Sequence, residues 1–559
     1  MPTAAGGARP YGDRVGTTLL TKATLWTGTD RPPYRGWLLV AGEHIGALGA
    51  LDSPAPPADR VLDLAGTHIL PGFVDSHLHL TVSAWLPYGI DGWHWSDLGT
   101  ALAAIRDAAA RDPYAPWLMF WNARPFAWPQ RRLPSAAELD ALAPGRPILV
   151  SGLDVHRGAL STAAMRSVDL DVRRGLPGDV ARDRRGRPTG EVWEQPYGEA
   201  LRRALSDTEQ HLGSDRVEGL IRYALDRCLS LGITHVHEAC VAPADHERML
   251  RMAEAAAPRL SWGVGAPEGL LTPPGGPATA PEGGYGAAGR EVKLFLDGGD
   301  RCALSLPAYA LGGLTVQALR QCIATRHFGP LRDALRRRTR LHGRRLDIAY
   351  LRYPDHALTG LLDQYLAAGF RVRMHALGNL AARQAAQALR TVGAAPGAAI
   401  IDHLVLLDPV TTELVAASGA WATYQPGFLT AFGPQITAAG TDRHLAVLGG
   451  RQLLDSGVPL ALASDYPAGP LDPLENLRSA VRRTLPNGRV IQAAQGLTPT
   501  EAVRCLTTAA AGSLGIPAGG LTPGERADLV ICDDDPFGQD SRVVQTWVGG
   551  RVVWHEERP

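Results

Sequence analysis

ILPGFVDSHLHL, residues 69–80, is an apolar run that opens on Pro-Gly and ends in two histidines one residue apart. Side chains alternate along a strand, so His77 and His79 face one way and Leu78 the other. Two neutral imidazoles on one rigid strand need little reorganisation to share a divalent cation such as zinc. The same spacing also suits two solvated or hydrogen-bonded histidines in a chain that holds 17 of them. The flanking sequence has to decide.

Upstream, TTLLTKATLWTG (17–28), GWLLVAGEHIGALG (36–49) and RVLDLAGTHILPG (60–72) are short β-prone runs parted by turn residues. ADLVICDDDP (527–536) and RVVQTWVGGRVVWHE (542–556) share that character. Between these ends, apolar runs alternate with alanine- and leucine-rich helical stretches. The runs are RPILVSGLD (146–154), GITHVHEA (232–239), EVKLFLDGG (291–299), FRVRMHALG (370–378), AAIIDHLVLL (398–407) and VPLALASD (458–465). This is the pattern of a parallel sheet built from βα units, and eight such units make a TIM barrel. Ser135 with Glu138, and Thr498 with Pro499 and Glu501, read as capping boxes that start helices.

A length of 559 residues exceeds what one core organises and predicts a large domain with a smaller one. The boundaries expected are a disordered tail at 1–15, a β-domain from 16–70 and 516–559, and a barrel over 71–515. Within the barrel an aromatic-rich insertion is expected at about 81–145, and a Pro/Gly-rich surface loop at 265–288. Lysine plus arginine and aspartate plus glutamate number 56 each, so the whole-chain balance gives no reason to expect nucleic acid or a membrane as partner. A small molecule is the expected partner, and the sequence leaves the assembly open, a homodimer included. Six cysteines without C-x-x-C spacing suit a reducing interior. With no apolar leader or spanning segment, the chain reads as cytoplasmic.

Active sites of α/β barrels gather where strands end at the C-terminal face, and Lys293, His375, His403 and Asp465 each sit in or just beyond an apolar run. Each alone could be a salt-bridged lysine, a satisfied core histidine or a helix cap. Their succession along one fold favours a shared site.

With these residues in place the sequence resembles the amidohydrolase superfamily, and within it the branch of N-substituted formamide deformylases and related amide hydrolases. The resemblance runs from about residue 17 to 555. It rests on Pro71-Gly72-Phe73-Val74-Asp75-Ser76-His77-Leu78-His79, on Lys293 with Asp297-Gly298, on His375 with Gly378, on Asp402-His403 and on Ser464-Asp465. The stretches LTPTEAVRCLTTAAAGSLG and GERADLVICDDDP add the last barrel helix and the return to the β-domain. Asn379, Asp402 and Ala463 depart from the branch's usual Asp, Glu and Gly, and none of the three is an implied ligand.

The resemblance implies an α/β fold, a TIM barrel with a small β-sandwich domain formed by both chain ends. It also implies one or two divalent cations, zinc above all. His77, His79 and Asp465 would hold the first, and His375 and His403 the second, with Lys293, carboxylated from CO2, between them. A cation lowers the pKa of bound water from about 15.7 toward about 7, and the resulting hydroxide attacks an amide carbonyl, with Asp465 as proton shuttle. His156, Glu194 and Gln425 match positions expected to face the substrate. His235 and His237 repeat the H-x-H spacing on a strand to which the resemblance gives no ligand.

Trp85, Trp93, Trp95, Trp117, Trp121 and Trp128 crowd the segment after the first motif. They fit either the core of an insertion or an aromatic wall over the site. The leading expectation is hydrolysis of an N-formyl or N-acyl amine with an apolar or aryl substituent. A hydrolytic deaminase or cyclic amidase is the alternative, and Lys293 counts against it. A non-catalytic barrel would lack ligands, and all six positions are filled.

Overall fold

Pro71 and Gly72 carry the chain from one sheet into another. The computed structural model describes residues 16–170, 179–242, 245–255, 258–265, 289–299, 301–326, 328, 331, 339–348 and 350–556. In it the strand His68–Pro71 pairs antiparallel with Leu529–Cys532, whereas Phe73 pairs with Ile233. A Cβ on Gly72 would lie 2.2 Å from Thr234 Oγ1, so the crossing needs a residue without a side chain. The expected tail at 1–15, and the expected loop from 266 to 288, lie outside the described residues.

Beyond the crossing, eight strands run parallel in chain order. They are β1 (Phe73–Leu78), β2 (Ile233–Val241), β3 (Arg259–Val264), β4 (Glu291–Phe295), β5 (Arg371–Gly378), β6 (Ala399–Leu407), β7 (Trp421–Tyr424) and β8 (Leu460–Leu462). β1, β6 and β8 are buried at every position, as expected of parallel strands covered on both faces. The circle closes where the Asp465 N–H donates to His77 O at 2.8 Å and the His79 N–H donates to Tyr466 O at 2.8 Å. The molecule is a TIM barrel with a second sheet contributed by both ends of the chain. That sheet has eight strands and encloses a core of its own around Leu20, Leu38, Ile69, Leu529 and Trp547.

Two expectations about the barrel change. RPILVSGLD forms Ile148–Gly152, a strand not of the barrel but of a six-stranded sheet inserted between β1 and β2. That sheet extends from Ile90 to Trp193, well beyond the insertion expected at 81–145. The pattern of an apolar run reports buried faces and not pairing partners. The tryptophans belong to the packing of this insertion. Trp95 and Trp128 lie in its core, Trp85, Trp117 and Trp121 lie where it meets the main core, and Arg124 stacks over Trp93 at 4.2 Å.

Both capping boxes form, with Ser135 and Thr498 each accepting from the backbone N–H three residues on. A further excursion separates β4 from β5. It holds the helix Ala310–Thr325 and an antiparallel sheet of Leu304–Pro307, Arg345–Ile348 and Thr339–His342. No described helix is long and apolar enough to cross a membrane.

Candidate metal centre

β1 delivers His77, and one residue past its end His79, to the same side, with ring centroids 5.5 Å apart. β5 and β6 supply His375 and His403, whose rings lie 4.6 Å apart, and His403 lies 4.9 Å from His77. Asp465 follows β8 and faces the group. Its Oδ1 is 3.3 Å from His77 Nε2 and 3.2 Å from His79 Nε2, and its Oδ2 is 3.9 Å from His403 Nδ1. One ligand atom from each of His77, His403 and Asp465 can be chosen so that all three lie within 4.8 Å of one another.

Three atoms here are buried without a hydrogen-bond partner: His77 Nε2, His375 Nε2 and Asp465 Oδ1. Such an atom ordinarily costs about 1–3 kcal/mol, so three in one cluster indicate a missing partner. Imidazole nitrogens with a carboxylate oxygen are the donor set of a cation such as zinc. The residues present fit a divalent cation held by His77, His403 and Asp465, with His79 and His375 adjoining. The backbone is bent to aim them: φ is +75° at His403 and +53° at Asp465, left-handed values that cost about 1–3 kcal/mol in a residue with a side chain.

Electrostatics suit the same use. Burial drives His77 and His375 well below the ordinary histidine range and His403 down to about 4, which keeps their lone pairs available. At His79 burial is outweighed by the neighbouring carboxylates of Asp465 and Glu238, and its pKa rises to about 9. Burial pushes Asp465 upward, but His77, His79 and His403 overcome it and hold the carboxyl ionised.

Lys293 forms a buried ion pair with Asp402 Oδ2. Asp402 Oδ1 also accepts from Thr423 Oγ1 at 2.6 Å and Arg373 Nη1 at 2.8 Å, and lies 3.1 Å from His77 Nδ1. From Arg373 the network continues to Glu291, then to His237 at 3.0 Å, and through Ser261 to His235. The second H-x-H pair is thus spent on a polar layer beneath the site. A profile of the amidohydrolase family matches residues 60–554. The chain belongs to the amidohydrolase family. It is, accordingly, a hydrolytic enzyme acting on C–N bonds.

This amidohydrolase is 26% identical to an N-substituted formamide deformylase of Arthrobacter pascens over 533 residues, covering 92% of this chain and 94% of that one. An imidazolonepropionase of Deinococcus radiodurans is 34% identical over 162 residues, or 28% of this chain and 34% of its own. In fold, it superposes on an uncharacterized metal-dependent hydrolase of Pyrococcus horikoshii with a TM-score of 0.65 at 19% identity, covering 97% of this chain and 100% of that one.

Above the cluster opens a cavity of about 500 Å³ bordered by His375, His403 and Asp465. His156 borders it as well, its ring 4.8 Å from His375. Glu194 does not. It is fully buried behind His156, accepting its Nδ1–H at 2.9 Å, because a carboxylate enclosed there needs that partner. Gln425 is likewise buried and is bonded through Oε1 to His403 Nδ1 at 3.0 Å, fixing that ring rather than reaching the cavity. None of the six tryptophans borders the cavity, and of the segment expected at 81–145 only Phe126 and Arg131 do.

Three participants escape a reading of the sequence for ligands. Glu238 lies 3.4 Å from His79 Nδ1 and accepts from the Thr81 N–H at 2.8 Å. Arg373 and Glu291 carry the interior network. Their signal was period-two polarity inside apolar strands, with Glu291 and Lys293 on β4 and Arg371, Arg373 and His375 on β5.

Proposed function

We propose that the enzyme cleaves the open-chain amide bond of an N-formyl or N-acyl amine with an apolar substituent. The observation that carries this reading is the cluster of partnerless donors opening directly into a cavity walled by Leu304, Leu346, Ile348, Leu377, Phe428 and Ile436. Of the three arginines at the cavity, Arg157 pairs with Glu191 at 2.9 Å, Arg301 pairs with Asp179 at 3.2 Å and Arg131 donates to Gln321 Oε1 at 3.1 Å, so the pocket favours a neutral substrate over a phosphorylated one. The long match to a formamide deformylase supports the same class, while the imidazolonepropionase match covers a smaller share of the chain.

A divalent cation, zinc by its donor set, supplies when bound a Lewis acid that polarises a carbonyl and acidifies water. Asp465 Oδ1 takes the proton of the attacking water and returns it to the departing nitrogen, which leaves poorly as an anion. His77, His375 and His403 stay neutral to hold the centre, and His79 adjoins it between the carboxylates of Asp465 and Glu238. Lys293, if carboxylated from CO2, would help to hold a second cation, and Arg373 would remain as the counter-ion of Asp402. His156, braced by Glu194, faces the substrate.

Metal analysis of the purified protein and a screen of N-formyl and N-acyl amines for released amine test this reading. Activity should disappear on prolonged chelation and return with added zinc. Full hydrolytic activity in metal-free protein would refute it.

A further inference from the structure

The excursion between β4 and β5 roofs the cavity with the helix Ala310–Thr325, whose Leu314, Ala318 and Gln321 line the cavity wall. The opposite face of this helix is also apolar. Val316, Leu319 and Ile323, spaced three and four residues apart, share one side, and Ile323 is 78% exposed. Phe328, just beyond, is 80% exposed, and Leu341 on the edge strand Thr339–His342 is exposed too. Seven of the sixteen large apolar side chains exposed among the described residues fall within 309–341. Apolar residues scattered singly need no explanation, but a concentration of this kind marks a surface that meets something.

Charge identifies the partner. Exposed arginines stand among these side chains at Arg320, Arg326, Arg340 and Arg344, and none of the four pairs with a described acidic residue. The described residues within 320–345 hold five arginines and no acid. A whole-chain charge of zero conceals this local excess. A second copy of the chain would bring arginine against arginine across a two-fold contact, which is unfavourable. Exposed apolar residues with interspersed arginines are instead the composition of a surface that rests on anionic lipid, with the aliphatic stems buried and the guanidinium groups at the headgroups.

We infer that this face docks on an anionic membrane surface. An acidic protein partner would explain the arginines. It would not explain why the same helix is apolar on both its cavity side and its outer side. The inference concerns binding and does not depend on which amide is cleaved.

Sedimentation of the full chain with vesicles tests it. The protein should bind vesicles of equal parts phosphatidylcholine and phosphatidylglycerol, bind phosphatidylcholine alone far more weakly, and release as salt is raised. Replacing Arg320 and Arg340 by Gln should weaken binding about 25-fold, from about fivefold for each arginine. Ile323→Ser with Phe328→Ser should weaken binding on the same vesicles while leaving hydrolysis of a soluble amide unchanged. The inference would be overturned by no binding to anionic vesicles, by binding unmoved by both pairs of substitutions, or by a dimer in solution that Ile323→Ser dissociates. Binding to soluble polyglutamate as tight as to vesicles and unaffected by Phe328→Ser would assign the face to an acidic protein and likewise overturn it.

Discussion

Replacing Arg373 by Met removes the cation that two enclosed carboxylates share while keeping a long side chain in the barrel. Glu291 and Asp402 are buried almost completely, and each accepts a hydrogen bond from the guanidinium. In the variant Glu291 retains His237, and Asp402 retains Lys293 and Thr423. Neither anion is left wholly alone, but each loses a charged partner in a region without water to replace it. Breaking a buried pair costs about 3–5 kcal/mol, and the remaining partners place the expected loss near the lower bound, about 3 kcal/mol. Against a usual total of about 5–15 kcal/mol this is a large share. Urea unfolding followed by tryptophan fluorescence should show it as a lower midpoint with little change in slope. Adding Glu291→Gln should recover part of the loss, a coupling of about 0.5–3 kcal/mol, because one uncompensated charge is then gone. A loss below about 1 kcal/mol, or a double variant whose losses simply add, would refute the claim that Arg373 neutralises both acids.

Asp465→Asn should fold and keep its cation yet lose about 10²-fold or more in kcat, the scale of a general acid–base group; near-normal turnover with cation in place would make Asp465 a structural cap. Lys293→Ala should lose most activity and at least one equivalent of cation by metal analysis, and unchanged content would favour a single-cation centre. Hydrogen bonding to Arg132 lowers the Glu138 carboxyl from 4.5 to about 2, so its contribution is complete above 4.5 and fades as pH falls toward 2. Glu138→Ala should therefore cost about 1 kcal/mol at neutral pH, and urea titrations in acid should show that difference shrinking.

The strands that carry chemistry were legible because each ligand type sits in or just beyond an apolar run, and a His or Asp there contradicts the burial around it. His77, His375, His403 and Asp465 were found that way, and the structure brings them together. Helix starts at Ser135 and Thr498 were legible because a capping box is local in sequence. Pairing was not. Ile148–Gly152 has the composition of a barrel strand and the neighbours of an inserted sheet, while β7, only Trp421–Tyr424, is too short to stand out. The interior network was hidden for another reason. Arg373 is 82 residues from Glu291 and Asp402 is 109 from Lys293, so only the folded barrel shows which charges meet. Gln425 and Glu194 were placed against the substrate because a polar residue near a strand end looks the same whether it faces the cavity or braces a histidine.

The meeting of β1 with residues that follow β8 governs when the enzyme becomes competent during its own synthesis. Asp75 Oδ1 accepts from the Ser464 N–H across 389 residues, and the strand leading into β1 takes Leu529 as a ladder partner later still. A ribosome working at about 5–20 residues per second therefore holds the first two histidines for roughly 20 seconds or more before Asp465 is even made. Contacts of such sequence separation are also slow to form. Throughout that interval the nascent chain carries His77 and His79 without Asp465, the carboxylate that meets both in the folded barrel. The last residue to join the cluster is Asp465, so on the reading proposed above a chain released early would lack its proton shuttle.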